Sequence, residues 1–314
     1  MQKDLLTVED VTSVDLENIM LLAERIKSLR LEWKHDSLRG KTVALIFSKS
    51  STRTRVSFEV GIRELGGNCL FLDRNDMQLG RGETIADTAR VLGRYIHGVV
   101  IRTHSHEDVV EFAKHARFPV INALTDQFHP CQVLTDLFTI REFSGTLEGI
   151  KVAYVGDCAS NMANSIILAA KLAGLELTLS SPENYAPKEE LLQEGNIELG
   201  KISWTPDPKK AVAEADYIYT DVWVSMGMEA EKDERLEAFK PYQVGMELVE
   251  AAGEGVRIMH CLPAHRGEEI TGEVMESKNS IVFDQAENRL HVQKAILTML
   301  LDEDWEKILE SETV

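Results

Sequence analysis

Four hydroxyl side chains and two arginines stand together between a predicted strand and a predicted helix. The segment is Ser50-Ser51-Thr52-Arg53-Thr54-Arg55, and it follows the apolar run at 41–47. The first N–H groups of a helix carry partial positive charge, hydroxyls add neutral donors, and each guanidinium matches two phosphate oxygens. The segment is therefore predicted to bind phosphate. The alternative is an ordinary helix cap with solvated arginines.

Further polar residues follow other predicted strands, where ligands of open α/β sheets lie. The segments are IRTH with Arg102, HPCQ with His129 and Gln132, GDCASNMANS with Asn161, DVWVSMG with Asp221, Ser225 and Met226, and HCLPAHRGEE with Cys261. Taken singly, each His or Asp is better explained by a structural hydrogen bond, and Cys261 by a buried inert thiol. No GxxxxGK[ST] or GxGxxG motif follows a strand, so nucleotide folds of these two kinds lose their main support.

Apolar runs alternate with segments of helical period, which predicts an α/β fold of parallel sheets with crossover helices. The 314 residues favour two domains, each a parallel β-sheet flanked by helices. We place the boundary after a helix that stops at Gly145, giving domains 1–145 and 146–286. SIVFDQ (280–285) is predicted to be a strand. The last segment, 287–314, is predicted to be one long helix that packs back on the first domain.

The composition narrows the class of partner. Acidic residues outnumber basic ones by 52 to 34, and the formal charge of -18 repels phosphate backbones and anionic lipid. We therefore expect no nucleic-acid partner and no membrane partner. The four cysteines are scattered without a CxxC pair, and the first residues show no signal-peptide pattern, so we expect a cytoplasmic protein without a disulfide framework or a zinc site.

Taken together and in order, the motifs resemble those of the aspartate/ornithine carbamoyltransferase family. SSTRTR is similar to its carbamoyl-phosphate signature, HPCQ to the ornithine-type HPxQ, DVWVSMG to the D-x-x-x-S-M-G loop, and HCLPAHRGEEI to the HCLP segment. The likeness covers nearly the whole chain. It implies transfer of the carbamoyl group of carbamoyl phosphate to the side-chain amine of L-ornithine, giving L-citrulline and phosphate in arginine metabolism. It implies no metal and no organic cofactor.

The resemblance also implies roles for single residues. Carbamoyl phosphate would be bound by Ser51, Thr52, Arg53, Thr54, Gln78, Arg102, His129, Gln132, Cys261, Leu262 and Arg289, with Gln78 supplied by a neighbouring chain. Ornithine would be bound in the second domain by Asn161, Asp221, Ser225 and Met226. The catalytic residues would be Arg102, His129, Asp221 and Cys261, and Asn122 is a further candidate contact. Many relatives carry Asn where Ser160 stands, so only Asn161 is carried over. The assembly would be a homotrimer, or several trimers, with active sites shared between chains.

Several alternatives remain at this point. Carbamoylation of aspartate requires a lysine-bearing loop and an arginine-lined pocket, whereas this chain has Gln78 and the anionic Asp221 at those positions. Putrescine and N-acylated ornithine are disfavoured by the S-M-G loop. The possibility that the chain is a catalytically inactive relative serving as a scaffold is disfavoured, because the residues proposed to act in catalysis are all present. Asp221 and Cys261 could orient the amine, and the leaving phosphate could equally accept its proton.

Overall fold

The computed structural model of the protein describes residues 2–30, 32, 35–49, 51–73, 77–78, 82–193, 202–224 and 229–310. The chain divides into two compact units, Met1–Phe138 with Glu287–Val314, and Thr139–Ala286. Each unit contains one parallel sheet with helices around it, which confirms the predicted fold class. In the described part of the chain, no helix is both long enough and apolar enough to span a membrane.

The first unit is built on a four-stranded parallel sheet in the order β2-β1-β3-β4. Its strands are β1 (Thr42–Phe47), β2 (Asn68–Asp73), β3 (Gly98–Arg102) and β4 (Val120–Leu124). The inner strands β1 and β3 are almost entirely buried, as expected for strands that are covered on both faces. Edge strand β2 is only partly buried, and its weaker apolar signal explains why the sequence pattern did not predict it.

The helices of the first unit connect these strands and cover the sheet. They are α1 (Ser13–Ser28), α2 (Thr52–Glu64), α3 (Ile85–Leu92) and α4 (His106–His115). The chain passes between the units within α5 (Pro130–Ser144) and again within α12 (Val282–Leu301). Ile46, Val99 and Phe112 are among the residues of a buried cluster formed by the sheet with α3 and α4.

The second unit is built on a five-stranded parallel sheet in the order β7-β6-β5-β8-β9. Its strands are β5 (Lys151–Val155), β6 (Glu176–Ser180), β7 (Ile202–Thr205), β8 (Tyr217–Thr220) and β9 (Arg257–His260). Its helices are α6 (Asn161–Ala173), α7 (Glu189–Gln193), α8 (Pro208–Val212), α9 (Lys232–Phe239), α10 (Met246–Ala252) and α11 (Gly272–Met275). Ile218, Phe239 and Ile258 belong to its buried core.

The predicted strand at 280–285 is wrong. Only Ser280 makes an isolated bridge, to Ile258, and α12 begins at Val282. The side chains of Ile281, Val282 and Gln285 are buried whereas Phe283 is 62% exposed, which is a helical and not an alternating pattern. The run of bulky apolar residues suggested a strand because periodicity is ambiguous over so few positions.

The last helix is also shorter than predicted. It ends at Leu301, and a separate helix, α13, spans Glu306–Glu310. At the break, the Asp302 side chain accepts a hydrogen bond from the Asp304 N–H at 3.1 Å, a local turn that competes with the helix.

The prediction that the last helix packs on the first unit is confirmed. Asn288 of α12 accepts a hydrogen bond from Lys27 at 2.8 Å, and the buried Lys294 pairs with Glu64 of α2 at 3.0 Å. Residues from 287 onward belong to the first unit. The polar side chains of α12 therefore stand against α1 and α2, and they can contribute to a site built at the start of α2.

Candidate active site

Helix α2 begins directly beyond the carboxyl end of β1, with Ser51 as its N-cap. The Ser51 hydroxyl accepts a hydrogen bond from the Thr54 N–H at 3.4 Å and donates to the Thr54 hydroxyl at 2.9 Å. The N–H groups of Thr52 and Arg53 have no carbonyl partner within the helix because the chain has not yet completed a turn. No acidic residue stands in this first turn, so the positive end of the helix is not neutralised locally.

Arg289 of α12 places a buried guanidinium beside this turn. It is 4% exposed, donates from Nη2 to the Thr54 hydroxyl at 2.8 Å and donates from Nη1 to Gln132 Oε1 at 3.0 Å. Gln132 in turn donates from Nε2 to Asp136 at 2.8 Å. One cation thus connects α2, α5 and α12. Sequence reasoning found Arg289 and Gln132 but missed Asp136, although its position four residues after Gln132 on a helix was a usable signal.

Arg102 and His129 lie at the same edge of the first sheet. Arg102 is the last residue of β3 and pairs with Phe47, the last residue of β1. His129 precedes the first residue of α5, five residues after the end of β4. Both side chains are buried. Burial holds the pKa of His129 well below its usual value, and the positive charges of Arg289 and Arg102 add to the effect. The imidazole is therefore neutral at neutral pH and can donate one hydrogen bond without adding a charge.

In the second unit, an aspartate and a cysteine meet beyond the ends of β8 and β9. Asp221 directly follows β8, Cys261 directly follows β9, and Thr220 pairs with His260 in register. The Cys261 thiol donates to Asp221 Oδ1 at 3.0 Å, and the Val222 N–H donates to the same oxygen at 2.8 Å. Burial raises the pKa of Asp221, while these donors act in the opposite direction. A cationic ligand would offset the cost of this buried carboxylate.

A buried histidine supports the loop after β9. His260 Nδ1 accepts from the Leu262 N–H at 2.9 Å, and its Nε2 lies 3.0 Å from Glu269 Oε1, which also accepts from the His265 N–H at 2.6 Å. The Gln285 side chain accepts from the His260 N–H at 2.9 Å. Leu262 has a φ of +57°, which is rare for a residue with a Cβ, so this network holds the loop in a strained turn. Sequence reasoning missed His260 and Glu269, despite their place in the HCLPAHRGEE motif.

The turn between β5 and α6 places Asn161 at the start of a helix. Gly156 has a φ of +147°, a conformation that side-chain-bearing residues rarely adopt, and a Cβ there would stand 3.7 Å from the Thr220 hydroxyl. The Ser160 hydroxyl caps α6 by accepting from the Ala163 N–H at 3.2 Å. Cys158 is fully buried. Residues 158 and 160 therefore have structural roles, and Asn161 is half-buried as the first residue of α6.

The predicted residues that the structure describes fall into two sets, one in each unit. The first set is Ser51, Thr52, Arg53, Thr54, Arg102, His129, Gln132 and Arg289; the second is Asn161, Asp221, Cys261 and Leu262. Gln78 lies in the part of the chain that the structure describes, and its side chain is exposed. Ser225 and Met226 lie outside the described residues. Asn122 has a structural role, since its amide donates to the Leu6 carbonyl at 2.8 Å.

Two groups of side chains in the described ranges have a composition that could hold a metal: Asp221, His260 and Cys261, and His265, Glu268 and Glu269. In the first group, both imidazole nitrogens of His260 are engaged, by Leu262 and by Glu269. In the second group, Glu269 is the buried partner of His260. A metal ion bound by His260 in the first group would have to break one of the hydrogen bonds that support the loop at Leu262.

Known proteins resemble the chain over nearly its whole length. A model of the carbamoyl-phosphate-binding domain of aspartate/ornithine carbamoyltransferases matches residues 3–142, and a model of their Asp/Orn-binding domain matches residues 148–300. The chain belongs to the aspartate/ornithine carbamoyltransferase family. This membership extends over both units and agrees with the motifs that the sequence carries.

Individual members of the family are similar at about half of all positions. The ornithine carbamoyltransferase of Archaeoglobus fulgidus is 53% identical over 305 residues, covering 97% of this chain and 99% of the relative. That of Methanoculleus marisnigri is 52% identical over 302 residues, covering 96% and 97%. The solved structure of the ornithine carbamoyltransferase from Pyrococcus furiosus superposes with a TM-score of 0.91 at 49% identity, covering 96% of this chain and 97% of that one.

The low pKa of His129 leads to a prediction about pH. We expect its imidazole to stay neutral through the pH range in which a free histidine takes up a proton, because burial and two arginine charges oppose protonation. The unfolded chain takes up this proton near pH 6.5, so the stability that His129 contributes is full above that pH and is lost as the pH falls below it. The measurement is nitrogen-detected NMR of the histidine rings, with His129→Gln to assign the signal. A His129 titration centred near pH 6.5 would contradict the assignment.

Proposed function

We propose that the protein is an enzyme that transfers the carbamoyl group of carbamoyl phosphate to the side-chain amine of L-ornithine, giving L-citrulline and phosphate. The observation that supports ornithine as the acceptor substrate is the buried Asp221 carboxylate, to which the Cys261 thiol donates a hydrogen bond. An anion at this place favours a substrate with a cationic side chain over aspartate. Family membership and the ornithine carbamoyltransferases at about 50% identity support the reaction class. The reaction belongs to arginine metabolism.

We assign carbamoyl phosphate to the cationic set of the first unit. Ser51, Thr52, Arg53 and Thr54 would hold its phosphate at the start of α2, with Arg289 as a second fixed cation. Arg102, His129 and Gln132 would surround the carbonyl oxygen and the amide. Leu262 and Cys261 would complete the contacts to carbamoyl phosphate.

We assign ornithine to the second unit. Asn161 would hold the amino-acid group, and Asp221 would attract and orient the side-chain amine. Ser225 and Met226 complete the proposed set from the sequence motif alone. Cys261 would stand beside the reacting nitrogen, with its orientation fixed by the hydrogen bond to Asp221.

In the proposed reaction, the neutral amine attacks the carbonyl carbon of carbamoyl phosphate. A carbon–nitrogen bond forms, negative charge develops on the carbonyl oxygen, and the bond from carbon to the phosphate oxygen breaks. Arg102 and His129 would stabilise the oxyanion, and Arg53 with Arg289 would stabilise the departing phosphate. Because Arg289 is held by Thr54 and Gln132 before the reaction, it would need little rearrangement as charge develops. The proton released by the amine nitrogen can leave with the phosphate.

The direct test is an assay of citrulline formation from carbamoyl phosphate and four acceptors: ornithine, aspartate, putrescine and N-acetylornithine. We expect turnover with ornithine only. An alkylammonium has a pKa of about 10.4 in water, so kcat/KM for ornithine should rise between about pH 7 and 9 as the reactive amine becomes available. Preference for any other acceptor would overturn the assignment of ornithine as the substrate. If none of the four acceptors is carbamoylated, the proposal that the protein is an enzyme of this class is wrong.

The charge of Asp221 gives a sharper prediction. In Asp221→Asn the carbonyl oxygen of the new amide can still accept from Val222 and Cys261, so these two hydrogen bonds are kept while the negative charge is removed. We expect KM for ornithine to rise at least about tenfold and KM for carbamoyl phosphate to stay within about twofold, because a lost charge interaction affects the cationic substrate. Steady-state kinetics with each substrate varied in turn measures both values. Equal rises in the two KM values would mean that Asp221 supports the fold and not the amine.

We also propose a homotrimer in which Gln78 of one chain completes the site of its neighbour. Edge strand β2 pairs with β1 on one side and has no partner on its other side among the described residues. Leu70 of β2 is 47% exposed, and Val56 of α2 is 53% exposed. An apolar face at an open sheet edge is a surface that another chain can cover. Gln78 is itself exposed, as a residue that reaches a neighbour must be in the single chain.

A mixing experiment tests this shared site. Arg53→Ala and Gln78→Ala should each be inactive, because each removes one half of every site. When the two variants are unfolded together and reassembled, about one site in three of every mixed cyclic trimer combines an intact Arg53 with an intact Gln78. We therefore expect activity to return. Mixed trimers that are present by native mass spectrometry but inactive would show that each site is built from one chain.

A further inference from the structure

Arg235 of α9 is a buried cation in the second unit that the proposed reaction does not use. It is 3% exposed. Its Nε donates to the Trp223 carbonyl at 2.7 Å, its Nη2 donates to the Asp157 carboxylate, and its Nη1 lies 3.4 Å from Glu231. The side chains of Arg235 and Asp157 are each only 4% exposed, so this ion pair is withdrawn from water.

Aromatic rings fix the orientation of the Arg235 guanidinium. The centre of the Tyr185 ring lies 4.8 Å from Cζ, and that of Phe239 lies 5.5 Å from it. Trp223 stacks on Phe239 with 5.9 Å between ring centres. A planar guanidinium can stack on rings and donate in two directions at once, which a lysine ammonium cannot reproduce.

The two main partners of Arg235 belong to the two loops that carry the proposed ornithine contacts. Asp157 shapes the turn between β5 and α6: its Oδ1 accepts from the Ala159 N–H at 2.9 Å, and the helix that follows begins at Asn161. Trp223 stands two residues after Asp221, in the loop that follows β8. One side chain thus hydrogen-bonds both loops.

We propose that Arg235 is a positioning residue for the amine acceptor: by binding Asp157 and the Trp223 carbonyl, it fixes the separation of the loops that carry Asn161 and Asp221. The inference rests on the proposed function, because it assumes that these two residues hold one substrate. A small change in the distance between two binding groups weakens the recognition of a ligand that must reach both.

Energetics support a role in geometry and not in stability. Removing two charges from water is unfavourable, and buried ion pairs can often be replaced by apolar residues of similar volume without loss of stability. Burial raises the pKa of Asp157, and the Arg235 charge opposes this rise. The pair therefore gives the second unit little net stability, while its directional hydrogen bonds specify one arrangement of the loops.

The test compares two variants. In the double variant Arg235→Met with Asp157→Asn, both charges are removed together, no buried charge is left unpaired, and the bond from Ala159 can persist. We expect KM for ornithine to rise at least about tenfold, KM for carbamoyl phosphate to stay within about twofold, and the thermal midpoint to change little. Arg235→Lys keeps the charge but cannot donate to both loops, so it should raise KM for ornithine by a smaller factor. If the double variant fails to fold, KM of Arg235→Lys for ornithine is the measurement that tests the positioning role.

A matched control is Arg257→Gln. Arg257 also contacts an aromatic ring, with Cζ 5.1 Å from the centre of Phe143, but it lies at the amino end of β9, away from both loops. We expect it to leave both KM values unchanged. A loss of thermal stability or of kcat with KM for ornithine unchanged, or equal rises in both KM values, would overturn the positioning role. If the unsubstituted protein forms no citrulline, the proposed function itself fails; if it does, these outcomes concern Arg235 alone.

Discussion

The buried guanidinium of Arg289 is the interaction on which the first unit's site depends. It donates to Thr54 at the start of α2 and to Gln132 near the start of α5, so one cation sets the distance between two helix starts. Hydrogen bonds to a charged group contribute about 1.5–3 kcal/mol each, whereas burying an ion costs several kcal/mol. The cluster is therefore close to neutral for stability. Its value lies in a fixed positive charge, which favours an anionic ligand and which helps to keep His129 uncharged.

Both sheets use the same geometric constraint. Parallel strands end at a common edge, so residues far apart in the chain come together without long loops. In the first unit, Arg102 ends β3 directly beside the end of β1. In the second, Asp221 and Cys261 follow neighbouring strands and meet through a hydrogen bond of 3.0 Å. The two edges carry opposite charge: arginines in the first unit and a carboxylate in the second. This difference matches an anionic donor and a cationic acceptor.

The sequence predicted most of this arrangement because its signals were local. The strand, Ser/Thr cap and helix around Ser51 are contiguous, and each strand-end motif includes its own polar residue. Three features could not be read in this way. Edge strand β2 lacks a continuous buried pattern, the segment at 280–285 is too short to separate strand from helix, and the partners of Arg235 are 78 and 12 residues away along the chain. Such long-range hydrogen bonds follow from packing and leave no periodic trace.

The most direct test of the account is calorimetric titration of carbamoyl phosphate into the protein and into Arg289→Lys at one ionic strength. Lysine keeps the charge but cannot donate to Thr54 and Gln132 together in the fixed directions of a guanidinium. Arg63→Lys, at the exposed end of α2, serves as the control. The account predicts a Kd at least about tenfold weaker for Arg289→Lys and an unchanged Kd for the control. Binding by Arg289→Lys within about twofold of the unsubstituted protein would contradict it.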